Sequence, residues 1–212
     1  MLKRLKVFSV AVAATLFMAA TASAAPVIDF GTGGAGAGGL ITQVGGNLIG
    51  TNIPIGTVLF FDTPLLGGTV ANVSGTATGT GGGTYGSLNF NTQTGAISIT
   101  GCVVGILGTA ACPSPFTLLT GTITSFTNIG GSLFIASGID TKDARLLAAL
   151  GLAANTPFAP FGFSLTSGTI SGNGSAVAVS TDIRNTAVPE PATMMLLGTG
   201  LLAAFRARRR KA

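Results

Sequence analysis

The sequence has no histidine, no tryptophan, a single tyrosine and few charged residues, which make up 8% of its 212 positions. Without histidine, neither a Ser–His nor a Cys–His pair is available for nucleophilic catalysis. The two cysteines cannot fill a tetrahedral metal site by themselves. These absences predict a chain without catalytic residues, without a cofactor and without a metal site.

The basic residues are concentrated at the two ends of the chain. Of the 11 lysines and arginines, three lie within the first six residues and five within the last seven. The middle keeps three basic residues, against the aspartates Asp29, Asp62, Asp140, Asp143 and Asp182. Nucleic-acid binding needs basic residues clustered on a folded face. That class of function is therefore excluded.

Residues 1–24 have the pattern of a secretory signal peptide. Three cations precede the uncharged run Val7–Ala20, and the small residues Ala22 and Ala24 follow it. An uncleaved membrane anchor is the alternative, but the run is shorter than the ~20 residues that a membrane span needs. The pattern predicts cleavage after Ala24 and export across the inner membrane.

The C-terminal residues 188–212 form a second targeting segment. It begins with Val188, Pro189, Glu190 and Pro191, continues with the apolar residues 192–205, and ends in a basic cluster of Arg206, Arg208, Arg209, Arg210 and Lys211. As a helix, residues 192–205 would cover about 21 Å, short of a hydrocarbon core of about 30 Å. Positive residues stay cytoplasmic, so the preceding domain would face outward. This pattern predicts a transmembrane helix that anchors the chain transiently.

A Pro-Glu-Pro motif, a short apolar helix and an arginine-rich end, in that order, resemble the PEP-CTERM sorting domain of Gram-negative bacteria. In that family exosortase, a membrane-embedded cysteine protease/transpeptidase-like enzyme, recognises the tail. Its substrates go to the cell surface or to an exopolysaccharide matrix. The resemblance, confined to residues 188–211, implies an exosortase-like partner and a location at the surface, in the outer envelope or in the extracellular matrix. An ordinary C-terminal anchor is the alternative.

Residues 25–56 are an N-terminal segment rich in glycine. Within it, Gly31–Gly39 formally contains the spacing G-x-G-x-x-G. A dinucleotide site needs a helix directly after these glycines, and no helical pattern follows. We interpret Gly31–Gly39 as a flexible loop or linker.

Residues 57–187 alternate short β-prone runs with turn residues. The predicted strands are Thr57–Phe61, Gly68–Gly75, Gly86–Phe90, Gly95–Thr100, Phe116–Phe126, Ser132–Ser137, Phe161–Ile170 and Ser175–Ile183. Ser171–Gly174 has the composition of a hairpin turn between the last two. The spacing predicts a mainly β domain, an antiparallel sandwich or jelly-roll-like fold.

One short helix interrupts the strands. Asp140 is its predicted N-cap, Asp143 occupies the third helical position, and Gly151 ends it. The predicted apolar stripe consists of Leu146, Leu147 and Leu150. The charged residues Asp140, Lys142, Asp143 and Arg145 are interpreted as capping and solvating this helix.

The two cysteines, Cys102 and Cys112, are predicted to form a disulfide, because exported chains oxidise their thiols. The chain-entropy model gives such a small loop roughly 2.5–3 kcal/mol of stabilisation. Free thiols are the alternative.

Two functions fit the sequence. The first is a non-enzymatic component of the cell surface or of an exopolysaccharide matrix. The second is a carbohydrate-binding or carbohydrate-active module with the same targeting. Glycoside hydrolysis needs paired carboxylates, and the spacing of the five aspartates does not single out a pair. Tyr85 is the only tyrosine that could stack on a sugar ring.

Overall fold

The computed structural model describes residues 24–109 and 111–188, together with Gly198, Gly200 and Leu201. Residues 26–187 form one compact unit. Over residues 24–109 and 111–188 the chain is mainly β, with one α-helix, α1 (Ala144–Ala149), and a 3-10 turn at Gly33–Ala35. The strands are β1 (Val27–Gly31), β2 (Gly38–Val44), β3 (Asn47–Ile55), β4 (Thr57–Phe61), β5 (Thr69–Ser74), β6 (Ala77–Thr78), β7 (Thr84–Asn91), β8 (Ala96–Val103), β9 (Phe116–Ile129), β10 (Leu133–Lys142), β11 (Phe161–Ser167) and β12 (Ser175–Thr186).

The named strands pair antiparallel, in the order β1-β4-β5-β8-β9-β10-β11-β12-β2-β3-β7-β6, and β12 also pairs with β1 and β8 with β7. Two strands change neighbour along their length. The first half of β12 pairs with β2 and the second half with β1. In the same way β8 pairs first with β7 and then with β5. The pairing therefore closes on itself, so that the inward side chains share one core.

The core is built from aliphatic and phenylalanine side chains that alternate along the strands. Its largest fully buried members are Phe30, Phe60, Phe134, Phe161, Ile28, Ile41, Leu48, Ile53, Ile55, Leu88, Ile99 and Leu118. Alternation places one face of each strand in the core and leaves the other exposed. The exposed face carries threonine and serine together with apolar side chains such as Val70, Ile139 and Val179.

A strand is present at each of the eight predicted places, although β11 ends at Ser167 and not at Ile170. Thr57–Phe61 has the predicted bounds, whereas β9 and β10 continue past theirs to Ile129 and Lys142. The predicted turn Ser171–Gly174 lies between β11 and β12, and its Gly172 has the positive φ of 58° that such a turn requires.

The loop interpretation of Gly31–Gly39 is wrong over most of its length. It contains the end of β1, the 3-10 turn and the beginning of β2. Ala35 is fully buried, and a Cβ on Gly39, where φ is 69°, would meet the Ile53 backbone. Glycine here allows close packing rather than flexibility. β1, β2 and β3, all within residues 25–56, pair with β4, β7 and β12.

The predicted N-cap is also wrong. The N-cap of α1 is Asp143, whose carboxylate accepts a hydrogen bond from the Arg145 backbone N–H at 2.8 Å. Asp140 instead belongs to β10, which stays paired with β9 as far as Lys142. The apolar stripe of α1 is buried as predicted, and Gly151 follows the C-cap with a positive φ of 75°.

Within the described residues, no helix has the length and apolar character needed to cross a membrane. The predicted transmembrane helix, residues 192–205, lies almost entirely outside the described part of the chain. The same holds for the predicted signal peptide, of which only Ala24 is described.

Candidate functional site

The predicted sorting motif begins where the β-domain ends. The Ala187 backbone N–H donates to the Pro26 carbonyl oxygen at 2.7 Å, and Ala187 also forms a bridge with Phe158. Ala187 is 5% exposed, whereas Val188, the next residue, is 43% exposed. The chain therefore leaves the domain between these two residues, and the motif follows without an intervening linker.

The start of the domain lies at the same place. Val27 is the register partner of Thr186, and Ala24, the predicted cleavage position, is exposed. Pairing of β1 with β12 thus brings the predicted new N-terminus close to the point where the C-terminal segment departs. The other predicted targeting residues lie outside the described residues: Ala22, Pro189, Glu190, Pro191, Arg206, Arg208, Arg209, Arg210 and Lys211.

The predicted disulfide is confirmed. Cys102, near the end of β8, is bonded to Cys112 in the loop before β9, with a Cα–Cα distance of 5.6 Å. Both residues are buried. The bond ties the irregular residues 104–109 and 111–115 to the sheet.

A buried ion pair lies at the end of β10. Lys142 Nζ is 2.9 Å from Oδ2 and 3.1 Å from Oδ1 of Asp140, and both side chains are fully inaccessible. The interpretation that these two residues solvate a helix is therefore wrong. Residues two apart on a strand face the same side, and in β10 that side is the core.

Asn185 of β12 completes this cluster. Its Nδ2 donates to Asp140 Oδ1 and to the Ala159 carbonyl oxygen, each at 3.1 Å. The Phe158 ring centroid lies 3.9 Å from Lys142 Nζ. Burial raises the pKa of Asp140 and lowers that of Lys142, and in each case the attraction of the partner opposes the shift. We call Asp140, Lys142, Asn185 and Phe158 the buried cluster.

Two carboxylates, those of Asp29 and Asp182, meet across β1 and β12. Burial raises the pKa of Asp29 to about 7, helped by a hydrogen bond with Asp182 and by its charge and opposed by Arg184. Asp29 is the register partner of Arg184, and Asp182 lies opposite Gly31. Unlike Asp140, this pair is on the outward side of the strands, since the flanking Ile28 and Phe30 fill the core.

Tyr85 lines an open cleft of about 320 Å³. The other lining residues include the polar Asn72, Ser74 and Thr84. Among the described residues, no group of three or more Cys, Asp or Glu side chains is placed to hold a metal ion.

Residues 187–211 match the family model of the PEP-CTERM protein-sorting motif. The match confirms the resemblance at residues 188–211 and begins at Ala187, the last buried residue of the domain. The motif indicates an exported protein that exosortase, a membrane enzyme, processes and sorts toward the cell surface. No curated protein matches the chain.

The sequence did not predict two groups of contacting side chains. The pair Asp140 and Lys142 has a local signal, an acid and a base two apart in a β-prone run, which places both on one strand face. Their contact with Asn185, and that of Asp29 with Asp182, join residues far apart in the chain. Only the register of β12 brings these together.

Proposed function

We propose that this protein is a non-enzymatic component of the cell surface or exopolysaccharide matrix, which an exosortase-like enzyme processes within residues 188–212. The signal peptide directs export, and the short apolar helix holds the chain in the inner membrane until processing. The β-domain, a sandwich or jelly-roll-like fold in this proposal, is the part retained outside.

The observation that carries the proposal is the position of the sorting motif. Its family match starts at the residue where the last strand is fastened to the start of the first one. A proline has no backbone N–H and disfavours helical conformation in the residue before it, which for Pro189 and Pro191 means Val188 and Glu190. A processing enzyme can grip such a segment without unfolding the domain.

Replacement of Pro189, Glu190 and Pro191 by alanine tests the sorting step. In the native host we expect the altered protein to keep its basic tail and to be lost from the surface fraction. Intact mass of the protein from each fraction reports whether the tail was removed. Gln93→Ala, an exposed turn substitution, is the control and should be sorted normally. Normal processing and surface retention of the triple variant would refute the proposal.

The charged groups of the domain support the non-enzymatic part of the proposal. Lys142 forms an ion pair with Asp140, and Arg145 forms one with Asp143. Asp29 and Asp182 contact each other directly, whereas glycosidase carboxylates stand roughly 5–9.5 Å apart, around the scissile bond. Loss of a hydrolytic activity on replacing any one of these aspartates would contradict this part of the proposal.

A carbohydrate-binding role is the second candidate, and the cleft at Tyr85 favours it. Aromatic rings beside amide and hydroxyl groups suit sugar recognition, since apolar sugar faces stack while hydroxyls find partners. Glycan-array binding by the exported protein, lost in Tyr85→Ala and kept in Tyr85→Phe, would support this role. Equal glycan binding by the parent and both variants, or no binding by any of them, would argue against a carbohydrate-binding role for this cleft.

A further inference from the structure

The buried cluster contains an amide group in addition to its ion pair. Burial of a Lys–Asp pair already costs desolvation free energy, because both charges are removed from water. Here an amide is added: Asn185 is 1% exposed and sends its Nδ2 to the carboxylate that holds Lys142. Its Oδ1 accepts no hydrogen bond within the described residues. A buried carbonyl left without a donor costs free energy and calls for an explanation.

The end of β11 is what brings the three side chains together. β11 lies between β10 and β12, but it starts at Phe161, paired with Gly138. Asp140 lies two residues beyond Gly138, and Asn185 one residue beyond Arg184, where the pairing of β12 with β11 stops. Their side chains meet beside the backbone of Ala159. Lys142 Nζ and Asn185 Nδ2 both contact the same atom, Asp140 Oδ1, at 3.1 Å. The amine and the amide thus share one acceptor atom of the carboxylate.

We propose that Lys142 Nζ and Asn185 Cγ become joined by an amide bond, with release of ammonia and with Asp140 as the group that carries the protons. The arrangement supplies a nucleophile, an electrophile and a proton carrier in a site closed to water. Groups held in attack geometry react with effective concentrations of roughly 10⁵ M or more, and at that level an otherwise slow aminolysis would become accessible here.

Desolvation favours the reactive protonation state. It lowers the pKa of Lys142 and raises that of Asp140, so it promotes transfer of the ammonium proton to the carboxylate. The resulting neutral amine has a free electron pair and is the form that attacks a carbonyl. The Phe158 ring lies against Nζ, and the Lys142 side chain has no solvent-accessible surface.

The reaction balances with no other reactant. Asp140 takes one proton from the Lys142 ammonium, and the Nζ electron pair forms a bond to Asn185 Cγ while the carbonyl π pair moves to Oδ1. Asp140 then gives its proton to Nδ2 and takes a second one from Nζ. The carbonyl re-forms, the Cγ–Nδ2 bond breaks, and ammonia leaves. Asp140 ends protonated, and its O–H is then a donor beside Oδ1, the atom that lacked one.

The bond would link β10 to β12, the strand that leads into the sorting motif. A force applied at Val188 would then be carried by a covalent bond instead of by the last backbone hydrogen bonds of β12. This consequence concerns strength only, and the bond itself does not depend on how the chain is sorted.

Mass spectrometry of the full protein from its host, with the disulfide reduced, tests the proposal. After terminal sequencing has fixed both ends, we expect a mass lower than calculated by one ammonia. Trypsin does not cut after an acylated lysine, so the fragment that ends at Arg145 should stay joined to the one that starts at Asn185. A parent mass without the deficit would overturn the proposal.

Lys142→Arg is the matched control. Arginine keeps the positive charge beside Asp140 but stays protonated and cannot attack. We expect this variant to fold, by circular dichroism, and to show the full calculated mass. An ammonia deficit in both proteins would place the loss elsewhere, for example in an imide at Asn173-Gly174, and would overturn the proposal. Asp140→Asn removes the proton carrier, and an undiminished deficit in that variant would refute the role of Asp140.

Discussion

At the scale of single residues, the structure gives the aspartates very different surroundings. Asp143 caps a helix, Asp140 is sealed in the core, and Asp29 shares a hydrogen bond with Asp182. The sequence shows five similar carboxyl groups. Sequence reasoning found the capping role in the right stretch, but it chose the wrong aspartate, because strand pairing with β9 continues through Lys142 and delays the start of α1.

The raised pKa of Asp29 predicts that stability falls as the pH rises. The folded protein holds a proton up to a pH of about 7, whereas the unfolded chain releases it near the ordinary value of 3.8. The stabilisation that Asp29 contributes is complete below pH 3.8 and declines as the pH rises from 3.8 to about 7. Solvent screening at this half-exposed site limits the loss to about 1 kcal/mol or less.

Asp29→Asn, which imitates the protonated carboxyl, should remove this decline. The measurement is the urea midpoint of both proteins at several pH values across that window. Asp62→Asn, at an exposed position, is the control and should decline like the parent. A slope in Asp29→Asn as steep as that of the parent would show that other groups cause it.

At the scale of elements, the register shift in β10 depends on a glycine. The register with β9 shifts between Ser137 and Gly138. A Cβ on Gly138 would collide with the Thr122 carbonyl oxygen and with the Phe161 ring. A Cβ on Gly162, in the neighbouring strand, would meet only open space.

Gly138→Ala is therefore expected to destabilise the protein by roughly 1–3 kcal/mol, as overpacked cores do. Gly162→Ala should be neutral or slightly stabilising, because alanine has the smaller entropy to lose on folding. The free energy of unfolding of each variant, from urea titration, checks the contrast. Equal effects in the two strands would contradict the requirement for glycine at the register shift.

The disulfide is the second element-scale feature with a measurable effect. Replacing both Cys102 and Cys112 by alanine should lower the free energy of unfolding by about 2.5–3 kcal/mol in the chain-entropy model. Reductant should lower the stability of the parent by a similar amount and leave the double variant unchanged. A parent insensitive to reductant under unfolding conditions would argue against a stabilising role for this bond.

At the scale of the whole molecule, the sequence predicts elements better than their arrangement. Eight strands follow from local alternation and turn residues, and all eight form. Those of residues 25–56 were missed because their glycines indicate flexibility, whereas Gly39 and Gly50 are needed for close contact with Ile53 and Phe90. The double pairing of β12 joins both ends of the domain, and no local pattern encodes so distant a register.

This closure makes the second half of β12 essential to the fold, unlike the residues after it. Two shortened chains, both starting at Ala25 and ending at Ala187 or at Ser180, separate these contributions. The first keeps each pair between β1 and β12, and we expect it to unfold cooperatively on heating. The second loses those pairs and the buried Ile183, Asn185 and Ala187. It should lack a cooperative transition, because a β1 edge and the core beneath it are exposed to water. Circular dichroism during heating distinguishes the two chains, and cooperative melting of both at the same temperature would show that β12 does not close the fold.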